Sequence, residues 1–216
     1  MHYADYLAHQ LVALERTNRG WMTWNLLLAL VPAVLALGLF ARPHRRRAGW
    51  WAGVVAFALF LPNAPYVVTD LVHLRADVAR ADSDGVVLAG VLPMYGAFVA
   101  LGFLAYLACT ELVGREVRSV RPATPQWAVE LVLHAVSALG IVLGRIARLN
   151  SWDTLTAPTG TAERVFTTLT WRGAPVAFVA VLVAVAATHL VVRTLAVAAG
   201  RAATAAWRRW PLARSA

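Results

Sequence analysis

WWAGVVAFALFLPNAPYVVTDLVHL, residues 50–74, begins as an unbroken apolar run and ends in an amide, a carboxylate and an imidazole. No charged residue lies between Arg47 and Asp70. At roughly 20 helical residues per crossing, that is long enough to span about 30 Å of hydrocarbon. Two prolines, Pro62 and Pro65, interrupt the run just before its polar end. Pro62 removes the donor to the carbonyl of residue 58, and Pro65 the donor to that of Leu61. Carbonyls freed at membrane depth persist only where protein or water satisfies them. The outer third of this span is therefore expected to open into a protein-lined or wet pocket.

The rest of the chain fits the same class. It has 216 residues, 60% hydrophobic and 14% charged. A soluble domain has about 25% charged residues. Five apolar runs are long enough to cross a bilayer, near residues 21–41, 49–69, 86–109, 126–145 and 174–198. The links are short, so the expected architecture is all-α: one polytopic bundle of five transmembrane helices. Tyr3, Leu7, Leu11 and Leu14 form one apolar stripe, which predicts an amphipathic helix over 3–16 lying at the membrane surface. Pro32 and Pro93 should kink spans 1 and 3. Thr124-Pro125 reads as an N-cap with proline at N1, opening span 4, and Gly173-Ala174-Pro175 opens span 5. Gly49/Gly53 and Gly140/Gly144 have the spacing that lets helices approach closely.

The basic residues are all arginine, and the formal net charge is +9. Arginines flanking spans explain it through lipid headgroups and topology, and no nucleic-acid motif is present. Twelve arginines fall on the side of the 42–47 and 115–121 loops and the C-terminus; eight fall on the other. The positive-inside rule then places the N-terminus outside and the C-terminus in the cytoplasm of an inner membrane. The single cysteine, Cys109, excludes an internal disulfide.

Two polar constellations share the outer side. At about 100° per residue, Asn63, Tyr66, Asp70, His73 and Asp77 fall on one helical face. Span 4 ends in Gly144-Arg145-Ile146-Ala147-Arg148-Leu149-Asn150-Ser151-Trp152-Asp153, with Arg145, Arg148 and Trp152 on one stripe. Arginine grips carboxylates and phosphates bidentately. Asp70 and His73 are the candidate general bases. Asn63, Tyr66, Arg145, Arg148, Asn150 and Asp153 are the candidate substrate ligands, with an anionic lipid headgroup as the partner. The plainer reading has Asn63 capping a helix restarted at Pro65, Asp70 paired with an arginine, His73 and Asp77 solvated, and the arginines snorkelling. Asn25 lies at the depth of Asn63. His134 and His189 sit within spans 4 and 5, where histidines hydrogen-bond across helices more often than they ligate haem. No cofactor or protein partner can be named. Asp70-x-x-His73 offers too few ligands for a metal.

The run Phe60 to Leu74, together with Gly144-Arg145 and Arg148-Leu149-Asn150-Ser151-Trp152-Asp153, resembles the DUF1361 family of bacterial membrane proteins. The resemblance covers roughly spans 1 to 5 and implies a small polytopic bacterial membrane protein without an assigned activity. Three functions fit these residues: a lipid or envelope-precursor enzyme, a small transporter or proton-coupled channel, and a structural or accessory subunit.

Overall fold

The structure, a computed structural model, describes residues 3–42, 47–149 and 156–209. Those residues are helical and contain no strand. The order is α1 (Tyr3–Phe40), α2 (Ala48–Phe60), α3 (Asn63–Tyr66), a 3₁₀ segment (Val67–Val72), α4 (Leu74–Arg80), α5 (Asp84–Val86), a π turn (Val87–Val91), α6 (Leu92–Val120), α7 (Gln126–Ile146), α8 (Pro158–Thr170) and α9 (Ala174–Arg209). Among the described residues, five helical stretches are long and apolar enough to cross a membrane: Asp5–Phe40, the broken run Ala48–Arg80, Asp84–Val120, Gln126–Ile146 and Ala174–Ala205. Each exposes bulky apolar side chains along its length, among them Val34, Val55, Leu101, Val132 and Val183. Such faces are stable only against lipid or a partner surface.

Several boundaries differ from those expected. Residues 3–16 do not form a separate surface helix. They are the first turns of α1, 38 residues long and running through Pro32. At 1.5 Å per residue it extends about 57 Å, well beyond the hydrocarbon. The stripe near its start meets protein, because Leu11 and Leu14 lie over Gly90 in the π turn. Nothing breaks the helix between 16 and 21, so one continuous helix is the outcome. Thr124 is not the cap of α7; Pro125 holds that position and contributes no side-chain hydrogen bond.

Pro93 acts through register. Having no N–H, it leaves the carbonyl four residues earlier without its donor. The preceding turn widens instead, with Leu92 N–H donating to the Val87 carbonyl. α6 then runs to Val120, past Cys109, which is buried mid-helix. It is the central helix, packing against α1, α3, α7 and α9. Its buried face carries Tyr95, Phe98, Phe103 and Tyr106.

Candidate functional site

The site begins at the proline break, where the chain repairs its own backbone. The Leu61 carbonyl, deprived of a donor by Pro65, accepts from Ala64 N–H at 3.2 Å. Asn63 does not cap the restarted helix: its Nδ2 donates to the Phe60 carbonyl at 3.0 Å. Thr69 Oγ1 donates to the Tyr66 carbonyl at 2.7 Å. The 3₁₀ segment that follows turns with about 3.0 residues per turn instead of 3.6. Over Val67–Val72 that shifts every later side chain off the α-helical wheel.

Asp70 is buried, at 3% exposed. Its Oδ1 accepts from Arg145 at 2.5 Å and its Oδ2 from Asn25 Nδ2 at 2.8 Å. Arg145 also donates to Thr69 Oγ1, from Nε at 2.9 Å and from the same terminal nitrogen at 2.7 Å. Its guanidinium stacks over the Tyr66 ring, 4.6 Å from the centroid. Three membrane helices are thereby tied at one point, by Asn25 from α1, Asp70 from the broken span and Arg145 from α7. Both carboxylate oxygens are engaged, Oδ1 by Arg145 and Oδ2 by Asn25.

Close packing brings α7 to this point. A Cβ on Gly140 would overlap the Pro62 ring, and one on Gly144 would touch Tyr66 at 3.5 Å. The glycine pair four residues apart is the seat of the proline break. Beside it lies a cavity of about 500 Å³ between α1, α3, α7 and α8. Trp24, Leu28, Leu59, Leu143 and Val165 give it apolar walls; Asn25, Asn63, Tyr66 and Arg148 supply the polar groups. That size and mixture suit a small ligand or headgroup.

Arg148 has an unusual backbone. It follows the α7 C-cap at φ 53, the one non-glycine residue at positive φ among those described. Glycine is the usual occupant of this position, since a Cβ there costs about 1–2 kcal/mol. Its side chain makes no ion pair among the described residues.

Other candidates fall elsewhere. His73 is exposed, its ring 5.0 Å from that of Trp21, and it does not line the cavity. Asp77 is buried rather than solvated, accepting from Tyr95 Oη at 2.9 Å and from Arg80 at 3.0 Å. Asn150, Trp152 and Asp153 lie outside the described residues. Trp24, Thr69 and Tyr95 carried no signal in the sequence, because nothing local marks which face of an apolar helix meets a buried carboxylate.

The profile of one family, described as a protein of unknown function (DUF1361), matches residues 24–189. The chain belongs to the DUF1361 family. The matched region holds the Asp70–Arg145 junction and the cavity beside it. A comparison with curated proteins gave no match, and neither did one with solved structures. The DUF1361 description assigns no activity, so roles in this member rest on geometry.

Proposed function

We propose that this DUF1361 protein is a bacterial inner-membrane protein that holds an anionic lipid or envelope-precursor headgroup in the cavity beside Pro62, facing outward. Arg148 is the headgroup clamp. Asn25, Asn63 and Tyr66 line the pocket, and Asp70 with Arg145 forms the fixed brace behind it. The observation that carries the reading is the position of Arg148. An arginine stands at the cavity where glycine would relax the backbone, while the neighbouring Arg145 is already committed to Asp70 and Thr69. Strain retained beside a pocket is a recognised mark of a working residue. The closed pairing of Asp70 favours a binding or accessory role over catalysis.

The test sets stability against occupancy. Arg148→Gly should leave the thermal midpoint unchanged or raise it, consistent with about 1 kcal/mol of relieved strain. The same variant should lose anionic lipid that co-purifies with the unaltered protein, read by native mass spectrometry. An unchanged lipid profile would remove the clamp.

A transporter remains the second reading, for one reason. Gln126, Glu130, His134, Ser137 and Arg145 recur along one face of α7, interrupted by the buried Ile141. Proton uptake by vesicles containing the protein, abolished by Ser137→Ala, would favour it.

A further inference from the structure

The opposite half of the bundle holds a second polar centre, where α6, α7 and α9 meet. His134 and His189 are 6% and 3% exposed, with ring centroids 4.9 Å apart. Two imidazolium ions so close in an apolar interior would be unsolvated and mutually repelling, so both rings are neutral. Their hydrogen bonds then fix where each proton sits. Thr110 Oγ1 donates to the Leu107 carbonyl at 2.9 Å, which uses its only proton. The contact of 3.3 Å between Thr110 Oγ1 and His189 Nε2 must therefore be donated by the histidine. That leaves His189 Nδ1 as a bare lone pair. On the other ring, Ser137 Oγ donates to Tyr106 Oη at 3.2 Å, and Tyr106 donates onward to His134 Nδ1 at 2.8 Å. The proton of His134 is consequently on Nε2.

One free donor and one free acceptor thus belong to two rings whose centroids are 4.9 Å apart. Neither takes a partner among the described residues, although a buried polar group almost always has one. Both rings line a groove of about 290 Å³ between α7 and α9, flanked by exposed Trp127, Leu131 and Leu190. The groove offers no spare positive charge for an anionic head. Arg193, at its edge, is held by Glu130 at 2.7 Å and Glu111 at 3.9 Å, and Glu130 also accepts from Gln126 at 3.1 Å. No group of three or more histidine, cysteine or acidic side chains placed to hold a metal ion occurs among the described residues.

We propose that this groove binds the uncharged hydroxyl head of a long-chain lipid-soluble alcohol. The ligand oxygen accepts from His134 Nε2–H, its proton is donated to His189 Nδ1, and its chain lies against Leu131, Leu190 and Trp127. A hydroxyl matches the pair because it gives and takes one hydrogen bond from a single atom.

The experiment compares oleyl alcohol with its methyl ether on the full-length protein in detergent, counting bound probe by native mass spectrometry. The ether keeps the chain and the acceptor but has no proton to give. Losing that bond and stranding His189 Nδ1 should weaken binding about tenfold. His189→Leu should bring the alcohol down to the ether's occupancy. Equal occupancy of alcohol and ether on the unaltered protein overturns the proposal, whatever the fate of the variant. So does undiminished alcohol binding to a folded His189→Leu protein.

Discussion

Asp70 is 4% exposed at its side chain and Arg145 is 36% exposed, and this asymmetry sets what each substitution does. Removing Arg145 leaves a buried carboxylate with Asn25 as its one remaining hydrogen-bond donor among the described residues. Removing the charge of Asp70 leaves a guanidinium that water can reach. Arg145→Ala should therefore destabilise by about 3 kcal/mol and Asp70→Asn by about 1 kcal/mol. Combining them should recover part of the Arg145→Ala loss, because the stranded charge is gone. Thermal unfolding of the three variants in one detergent checks this; a double variant less stable than Arg145→Ala would contradict it. Much of this junction is legible in the sequence. Charged and amide side chains in an apolar run need partners, and Asn25, Asp70 and Arg145 are the groups at matching depth. The wheel alone puts His73 on the face of Asp70, because it assumes 3.6 residues per turn and the chain takes a 3₁₀ path after Pro65; the plainer reading has His73 solvated, and it is exposed.

Among the elements, two glycines decide how closely α6 and α7 grip the broken span. A Cβ on Gly102 of α6 would lie 2.6 Å from Val67 Cγ2 and 2.9 Å from the Ala64 carbonyl oxygen. On α7, a Cβ at Gly140 meets the Pro62 ring, which has no rotamer to escape into. Alanine normally stabilises a helix interior over glycine by about 0.5–1 kcal/mol. At Gly140 the overlap outweighs that gain, and Gly140→Ala should lose about 1–3 kcal/mol. Gly96, in the same α6 as Gly102, has nothing within 4 Å of its Cβ, so Gly96→Ala should raise the melting temperature or leave it unchanged. Melts of the two variants in one detergent decide it; equal shifts would mean that the close approach does not hold the helices. The sequence shows the glycine spacing but not its counterpart, since a ring from a distant segment leaves no local mark. It also hides α8, whose Phe166, Leu169 and neighbouring Trp171 are exposed on a short helix rich in threonine. That pattern suits a helix lying at a membrane interface, the role expected instead for residues 3–16.

At the scale of the whole molecule, both proposed sites take their biological meaning from orientation. The five apolar helices are legible from composition and run length alone, because lipid-facing surfaces have to be apolar all along a span. Orientation depends on the loops. The turn after α6 carries Arg115, Arg118 and Arg121 nearby, and the same end of the bundle holds Arg193 and Arg201. Among the described residues, seven acidic ones (Asp5, Glu15, Asp70, Asp77, Asp82, Asp84 and Glu163) lie toward the other end, where Arg80 and Arg145 are paired with Asp77 and Asp70. The unbalanced arginines should hold the α6–α7 turn in the cytoplasm and leave α8 and the Arg148 cavity outside. Cys109 is buried and can be replaced by alanine to give a cysteine-free background. In that background, Thr167→Cys on exposed α8 should react in intact cells with a thiol reagent that cannot cross membranes. Ala123→Cys, exposed between α6 and α7, should react only after the membrane is opened. The reverse pattern would turn the cavity toward the cytoplasmic leaflet. The clamp would then meet inner-leaflet phospholipid, and an envelope precursor presented at the outer surface would be ruled out as its ligand.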